Sequence, residues 1–508
     1  MKSIILVVGA GPVGLTMAAE LARYGVPVRV VDKAAERTDK SKALVVWSRT
    51  LELLDRMGCG EWFVNAGFKV TAANIIAGSR TLAHIDLHAV NTPHPYALML
   101  PQSETERLME KHLNDCGVQV ERGVELERFD ATADNVNATL RHADGHEEVI
   151  DTQWMIGCDG AHSAVRRGLG MKFEGDTLPS DWILADLQLA GLRTKPDELN
   201  LYWHADGALA LFPISPGRYR VVADVGDAKS GALRPDPTLE EVQAILDKRG
   251  PGDIAASAPI WLASFRINER KVAEYRAGRV FVAGDAAHIH SPAGGQGMNT
   301  GMQDACNLAW KLALVHHGAA AESLLDSYSI ERSAVGRQVL TDAGRLTTLA
   351  IMRSGVAQTI RNHVASLVFG LSAVRGIMAN KLTEIAIGYP ESPLTLPSRH
   401  THGGPSPGDR APISAAGVPV GAGTNPRFAL FARADTESAA FIARHENLLE
   451  REPRLPFAED GIWLVRPDGY VALVAGRGEC AEIENYLQRI AGIAKSQTTA
   501  SDANRREV

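Results

Sequence analysis

The chain has 508 residues, 45% of them hydrophobic and 22% charged, with a formal net charge of −7. That length exceeds one simple core and predicts two or three domains, while the composition is that of an ordinary globular protein. The acidic balance leaves no basic surface for nucleic acid, and five scattered cysteines (Cys59, Cys116, Cys158, Cys306, Cys480) with no C-x-x-C fit reduced thiols better than a disulfide framework or a zinc site.

The opening MKSIILVVGAGPVGL has the Lys and apolar run of a secretory signal. Gly9, Gly11, Pro12 and Gly14 break that run, and a helical pattern follows instead of a cleavage site. No other stretch reaches about 18 apolar residues without a charge, so no membrane helix is expected and the chain reads as cytoplasmic.

SIILVV is a short apolar run suited to a buried parallel strand. It runs into G-A-G-P-V-G (Gly9, Ala10, Gly11, Pro12, Val13, Gly14), then LTMAAELARYG at helical spacing, then VPVRVVD ending in Asp32. Gly9 permits the tight turn, Gly11 lets a pyrophosphate approach the backbone, and Gly14 lets the helix pack on the strand. The helix N-terminus offers free N–H groups and partial positive charge, and Asp32 stands where it can accept from a ribose hydroxyl. The pattern predicts dinucleotide binding without choosing between NAD(P) and FAD.

Residues 176–262 carry strand-like pieces (DWILADLQL, NLYWHADGALALFPI, YRVVADV) and one helix-like piece, TLEEVQAILDKRG. They predict an inserted antiparallel sheet. Trp182, Tyr202, Trp203, Phe212 and Trp261 supply aromatics, which in sheets are more often core than ligand contacts.

Further on, VFVAGDAAHIHSPAGGQGMNTGMQDACNLAWKL (residues 280–312) repeats the strand, turn and helix order with a single Asp285 at the strand end. Gly294, Gly295 and Gly297 stand just before the helix, where bare backbone can meet a planar ligand. A helix N-terminus there would stabilise the negative charge of a reduced flavin, and Asp285 could hold ribityl hydroxyls. The two distant elements are thus expected to grip the two halves of one FAD. His288 and His290 form an H-x-H lacking an evident third ligand, so packing or hydrogen bonding is favoured over a metal.

GAGPVG, CDGAHSAVRRGLG (residues 158–170) and the 280–312 stretch together resemble the group A flavoprotein monooxygenases, the family of phenol, 3-hydroxyphenylpropionate and polyketide aromatic hydroxylases. The resemblance spans nearly the whole chain. It implies an α/β fold: a Rossmann-like FAD-binding domain (1–175 and 263–340), an antiparallel-sheet substrate domain (176–262), a helical segment (341–395) and a thioredoxin-like C-terminal domain (396–490). A polar tail, 491–508, is expected to be disordered. The C-terminal domain lacks C-x-x-C, so a structural or dimerising role is expected rather than thiol chemistry.

The resemblance further implies that Gly9, Gly11, Pro12, Val13, Gly14, Asp32 and Lys33 bind the ADP half of FAD. Asp159 would serve FAD and nicotinamide together, and Gly284 with Asp285 would hold the ribityl region. Pro292, Gly295, Gly297, Met298 and Asn299 would face the flavin ring, Pro292 and Gly295 as the loop at the reacting centre, with no protein base assigned. Gln102 would line the flavin, and Lys42 and Arg49 would lie nearby. Asp32 stands where many relatives have Glu, and Lys42 where the family often has Arg. Arg166 and Arg167 read equally as phosphate contacts or surface residues. Trp203, His204, Phe212 and Arg220 are the candidates for touching substrate.

The implied reaction is hydroxylation of a phenolic or polycyclic aromatic with transient NADPH or NADH, O2 and a flavin C4a-hydroperoxide. Baeyer–Villiger oxidation or epoxidation on the same fold, or a non-catalytic flavin-binding module, stay open at this point. A homodimer is the family-level expectation.

Overall fold

The computed structural model describes residues 4–38, 41–227, 232–352, 355–398, 403–413 and 417–492. The expected tail therefore lies almost wholly outside the described residues.

Ile5–Val8 is buried along its whole length because it sits in the middle of a six-stranded sheet. Val28–Asp32 flanks it on one side and Trp154–Gly157 on the other, both in parallel. Val280–Val282 extends the sheet beyond Trp154–Gly157, and Val120–Arg122 closes the far edge. All three expected motifs thus leave neighbouring parallel strands at their C-terminal ends, where open α/β sheets place their ligands. The helices Pro12–Arg23 and Gly297–His316 pack against each other so closely that a Cβ on Gly301 would meet Val13 Cγ2 at 2.6 Å.

The antiparallel sheet is larger than the sequence suggests. Of its eight strands, five run from Glu174–Ala190 to Ala255–Lys271, with His288–Ile289 on one edge. On the other side it borrows the hairpin Ala72–Ala77 and Arg80–Asp86, joined in parallel to Glu198–His204. The hairpin has a strand-like signature around Gly78-Ser79, but pairing partners some 120 residues away leave no local trace.

One sheet face, carrying Ile183, Leu187, Leu209 and Val221, is covered by Val242 and Leu246 of the helix Leu239–Arg249. The other face, carrying Trp182, Trp203 and Ile267, looks toward Val45, Trp47 and the helices Gly355–Gly370 and Ser372–Leu382. Alternation along each strand makes these two faces chemically distinct.

After the long helix Asp326–Ala350 and these two shorter ones, the chain forms a three-stranded antiparallel sheet (Ala429–Phe431, Gly461–Val465, Val471–Gly476) with two helices, Thr436–Arg444 and Cys480–Ala491. No helix among the described residues is long and apolar enough to cross a membrane.

Candidate functional site

The first turn is fixed by sterics. Gly9 has φ +101°, and a Cβ there would lie 2.5 Å from Cys158 O; a Cβ on Gly14 would lie 1.8 Å from Gly9 O. Gly11 differs, since a Cβ there would meet nothing within 4 Å. The helix that follows begins at Pro12 with no side-chain cap, so its first N–H groups face this open space. Asp32 reaches back across the turn, accepting from Ala10 N at 2.6 Å and from Ala34 N at 2.8 Å. Each of its oxygens keeps a lone pair for a further donor.

The second and third motifs meet the first directly. The Cys158–Asp159 backbone lies against Gly9, and Gly284, at φ +58°, lies against Val13. Asp159 Oδ2 accepts from Ala164 N and Val165 N, while its Oδ1 is buried with no partner in the protein. An unpaired buried carboxylate oxygen is costly unless a ligand satisfies it. Asp285 retains solvent exposure, yet its surroundings raise its carboxyl pKa through desolvation.

The 292–297 loop forms the far wall. Gly295 N donates to Pro292 O, and Trp47 Nε1 donates to Gly294 O at 2.8 Å. Asn299, fully buried, accepts from Trp47 N and donates to Val45 O and Gly295 O. Its side chain is a staple between loop and strand. Met298 is half-buried, and Gly297 opens a helix with no side-chain cap. His290 donates from Nδ1 to Ser291 O, its Nε2 is buried without a partner, and burial pushes its pKa down to about 4, so the ring is neutral.

Behind this wall lies a buried cluster that the sequence reading missed. Asp304 Oδ2 accepts from Gly284 N at 2.9 Å and from His288 Nε2 at 2.8 Å, and Oδ1 accepts from Arg332 Nε at 2.6 Å. Burial opposes the Asp304 charge, but Arg332 and His288 outweigh it and hold the carboxyl below its ordinary range. His288 therefore belongs to a hydrogen-bonded cluster, with its ring parallel to that of His290 at 6.3 Å.

Several expected contacts are placed elsewhere. Arg49, expected beside the cofactor, turns toward the C-terminal sheet: Nη2 donates to Asp468 O at 2.6 Å, Nη1 pairs with Glu52, and the guanidinium lies over Tyr470. Arg220, expected at the substrate, is consumed by a bidentate pair with Asp186 and by the carbonyls of Ser41 and Lys42. A buried arginine must satisfy its donors locally, which leaves none for a ligand. His204 pairs with Asp206 at a turn. Arg166 is likewise structural, bonding Ala286 O and Ala161 O.

Gln102 accepts from Ala43 N and donates to Glu106, while Lys33 and the Lys42 side chain are exposed. Trp203 and Phe212 do share the sheet face that looks at Trp47. Trp203 is covered by Arg361, whose guanidinium stacks 4.5 Å from its ring centroid.

The cleft fits an extended dinucleotide: two uncapped helix N-termini, open space at Gly11, an unpaired Asp159 oxygen and an accessible Asp285 line it in sequence.

Comparison with known proteins agrees. The FAD binding domain family matches residues 2–343, about two thirds of the chain, and the chain belongs to that family. It is 37% identical to the 6-methylpretetramide 4-monooxygenase of Streptomyces rimosus, over 96% of this chain and 93% of that protein. Against the anhydrotetracycline monooxygenase of Streptomyces rimosus the identity is 32%, over 94% of this chain and 96% of the relative. Among solved structures, the OxyS anhydrotetracycline hydroxylase of Streptomyces rimosus superposes with a TM-score of 0.79 at 28% identity, covering 97% of this chain and 99% of that one.

Proposed function

We propose that this FAD-dependent aromatic monooxygenase acts on a planar polycyclic phenol of the kind its relatives oxidise, held between the 292–297 loop and the tryptophan-bearing sheet face. The observation that carries this reading is the chemistry of that face. Trp182 and Trp203 are buried on it beside Phe212 and Phe265, and both indole N–H groups lack partners in the protein. An apolar wall with the unsatisfied Trp182 donor suits a fused-ring ligand bearing a carbonyl or phenolate oxygen, Trp203 being screened by Arg361.

FAD, when bound, supplies the redox chemistry: NAD(P)H delivers a hydride, O2 is activated, and one oxygen enters the aromatic ring while the other leaves as water. The protein's part is to bind, orient and exclude water. Gly11 and the Pro12 N-terminus would receive the pyrophosphate, Asp32 the adenosine ribose, and Asp159 and Asp285 the middle of the cofactor. Pro292, Gly295 and the N-terminus at Gly297–Asn299 would hold the ring system, and the helix dipole there would favour negative charge on its reduced form. His290, neutral and with a free Nε2, offers one acceptor at this wall. No side chain is assigned as a base.

Residues 1–175 and 263–340 serve as the FAD-binding part and 176–262 as the core of the substrate part, with residues 72–86 added to its sheet. We read the C-terminal three-stranded layer as a reduced thioredoxin-like unit. Cys480 is its single cysteine, and burial raises that thiol's pKa, which argues against thiol chemistry. Use of NAD(P)H points to the cytoplasm.

The test is NAD(P)H consumption by FAD-loaded protein against single-ring phenols and tetracyclic phenols, with product mass recorded. Acceleration by tetracyclic compounds with a gain of one oxygen is expected. Acceleration confined to single-ring phenols would overturn the substrate reading, and insertion of the oxygen into a ring ketone would move the reaction to the Baeyer–Villiger class.

A further inference from the structure

We infer that the C-terminal unit is a positioning element for the cofactor, acting through a buried chain of charges that ends on the Gly284 backbone. Glu331 and Arg332 are neighbours on the helix Asp326–Ala350 and face opposite ways in function. Arg332, fully buried, grips the cofactor side: Nε pairs with Asp304 at 2.6 Å, and Nη2 donates to Thr300 O in the first turn of the Gly297–His316 helix at 2.9 Å. One guanidinium therefore fixes both the Gly284–Asp285 turn, through Asp304, and the helix start behind the 292–297 loop.

Glu331 grips the C-terminal side. It pairs with Lys311 at 2.7 Å and with Arg466 at 2.5 Å, all three groups fully buried. Arg466 in turn pairs with Asp468 at 2.6 Å, and Trp310 Nε1 donates to the same carboxylate at 3.2 Å. The two halves are bridged by Tyr389. Its hydroxyl accepts from Arg332 Nη1 at 2.9 Å, its ring packs on Tyr470 at 4.4 Å, and the Arg466 guanidinium lies 5.1 Å from its centroid.

Buried charges in such a chain hold one another in place, because leaving any one unpaired costs more than the pair contributes. Undocking the turn Arg466–Tyr470 would strip Glu331 of the two Arg466 donors and leave Tyr389, which orients Arg332, without the Tyr470 ring it packs on. Asp304 would then hold Gly284 N against a loosened partner. Arg332, Tyr389 and Arg466 are thus positioning residues that reach the cofactor through Asp304 and, at the helix start, through Thr300 O.

A second link between the same units supplies the control. Arg410 pairs with Glu52 at 3.0 Å and donates to Asn91 O, without touching Arg332 or Asp304. The experiment titrates FAD into full-length apoprotein, following flavin fluorescence, with the apoprotein melting temperature measured beside it. Tyr389→Phe removes one acceptor and keeps the ring. It is expected to weaken FAD binding about fivefold to twentyfold while moving the melting temperature little.

Combined with Asp304→Asn, the Tyr389→Phe loss should shrink to about twofold, since only the Thr300 branch is left. Arg410→Met should lower the melting temperature and leave FAD affinity within twofold. Unchanged FAD affinity in Tyr389→Phe would overturn the proposal. So would an Arg410→Met loss as large as that of Tyr389→Phe, because the junction would then be general glue. Arg466→Met extends the test where it folds; where it does not, Tyr389→Phe decides alone.

Discussion

The two turns proposed to hold the cofactor are built by opposite means. The turn at 9–14 is held by the absence of side chains: backbone passes so close to backbone that Gly9 and Gly14 leave no room for a methyl. The turn at 284–285 is held by buried charge, with Asp304 as hub and Arg332, His288 and Gly284 N as spokes. The first kind of turn is decided within six residues. The second depends on partners drawn from three separate helices and strands.

That difference should appear most strongly when each turn is attacked by its own weakness. Gly14→Val would push a Cβ to 1.8 Å from Gly9 O, with two further methyls behind it. Backbone cannot yield by that much, so the expected outcome is loss of folded, flavin-bearing protein. Flavin absorbance per chain after purification measures this, and a yellow variant at wild-type ratio would refute the steric account of the turn.

Asp304→Asn attacks the second turn. It keeps the shape, but Arg332 loses its counter-charge in a site where all the partners are buried. Breaking a buried pair from one side costs about 3–5 kcal/mol, less than losing the fold outright in a chain of this size. Urea unfolding of the apoprotein should show that drop. Asp304, and Glu331 behind it, are held ionised below their ordinary pKa range, Glu331 well below it, where Arg466 and Lys311 outweigh burial. A depressed carboxyl stabilises the fold above its unfolded pKa, and that contribution is lost as pH falls through the folded value. The wild type should therefore lose stability steeply on acidification below about pH 4.5, and Asp304→Asn less steeply.

The same contrast explains what could be read from the sequence. That GAGPVG, Asp32, Asp159 and Gly284-Asp285 come together at one sheet edge was legible because strand, turn and helix follow one another at each motif. Arg332 was not, since in SIERSAVGR it looks like any helix-surface arginine, and only the approach of Asp304 and Tyr389 gives it a role. Arg49 and Arg220 failed in the opposite sense. Their motif context and strand position suggested ligand contacts, but tertiary packing consumed their donors. The edge hairpin 72–86 was overlooked because it joins a sheet whose other strands come a hundred residues later. Local chemistry was readable; partnership across the fold was not.

Glu384 sharpens the picture from beneath the second turn. It has φ +61° and is buried, accepting from Thr300 Oγ1 and Gln303 Nε2, and desolvation pushes its pKa up to about 8. It is thus neutral in the folded protein at pH 7. A carboxyl raised on folding stabilises fully below its unfolded pKa, and the benefit is lost as pH rises through the folded one. Glu384→Gln should be close to wild type at pH 5 and more stable by about 1–3 kcal/mol at pH 8. Denaturant midpoints at the two pH values measure it; parallel pH profiles for the two proteins would show that this carboxyl does not titrate with folding.

Gly11 is where the first turn stops being about packing. Its φ of −75° suits any residue, and a Cβ there meets nothing within 4 Å, so the fold itself gives no reason for glycine. Gly→Ala at a compatible position stabilises by about 0.4–1 kcal/mol through the unfolded chain. The apoprotein of Gly11→Ala should therefore melt slightly higher than wild type. FAD affinity should fall about tenfold, because the methyl occupies the space where backbone would meet pyrophosphate and holds the phosphates off the helix N-terminus. Gly14→Val and Gly11→Ala, three residues apart, would then separate the two demands made on one turn: one variant loses the fold and the cofactor together, the other gains stability and loses only the cofactor. A Gly11→Ala variant that binds FAD as tightly as wild type would place the pyrophosphate elsewhere in the cleft.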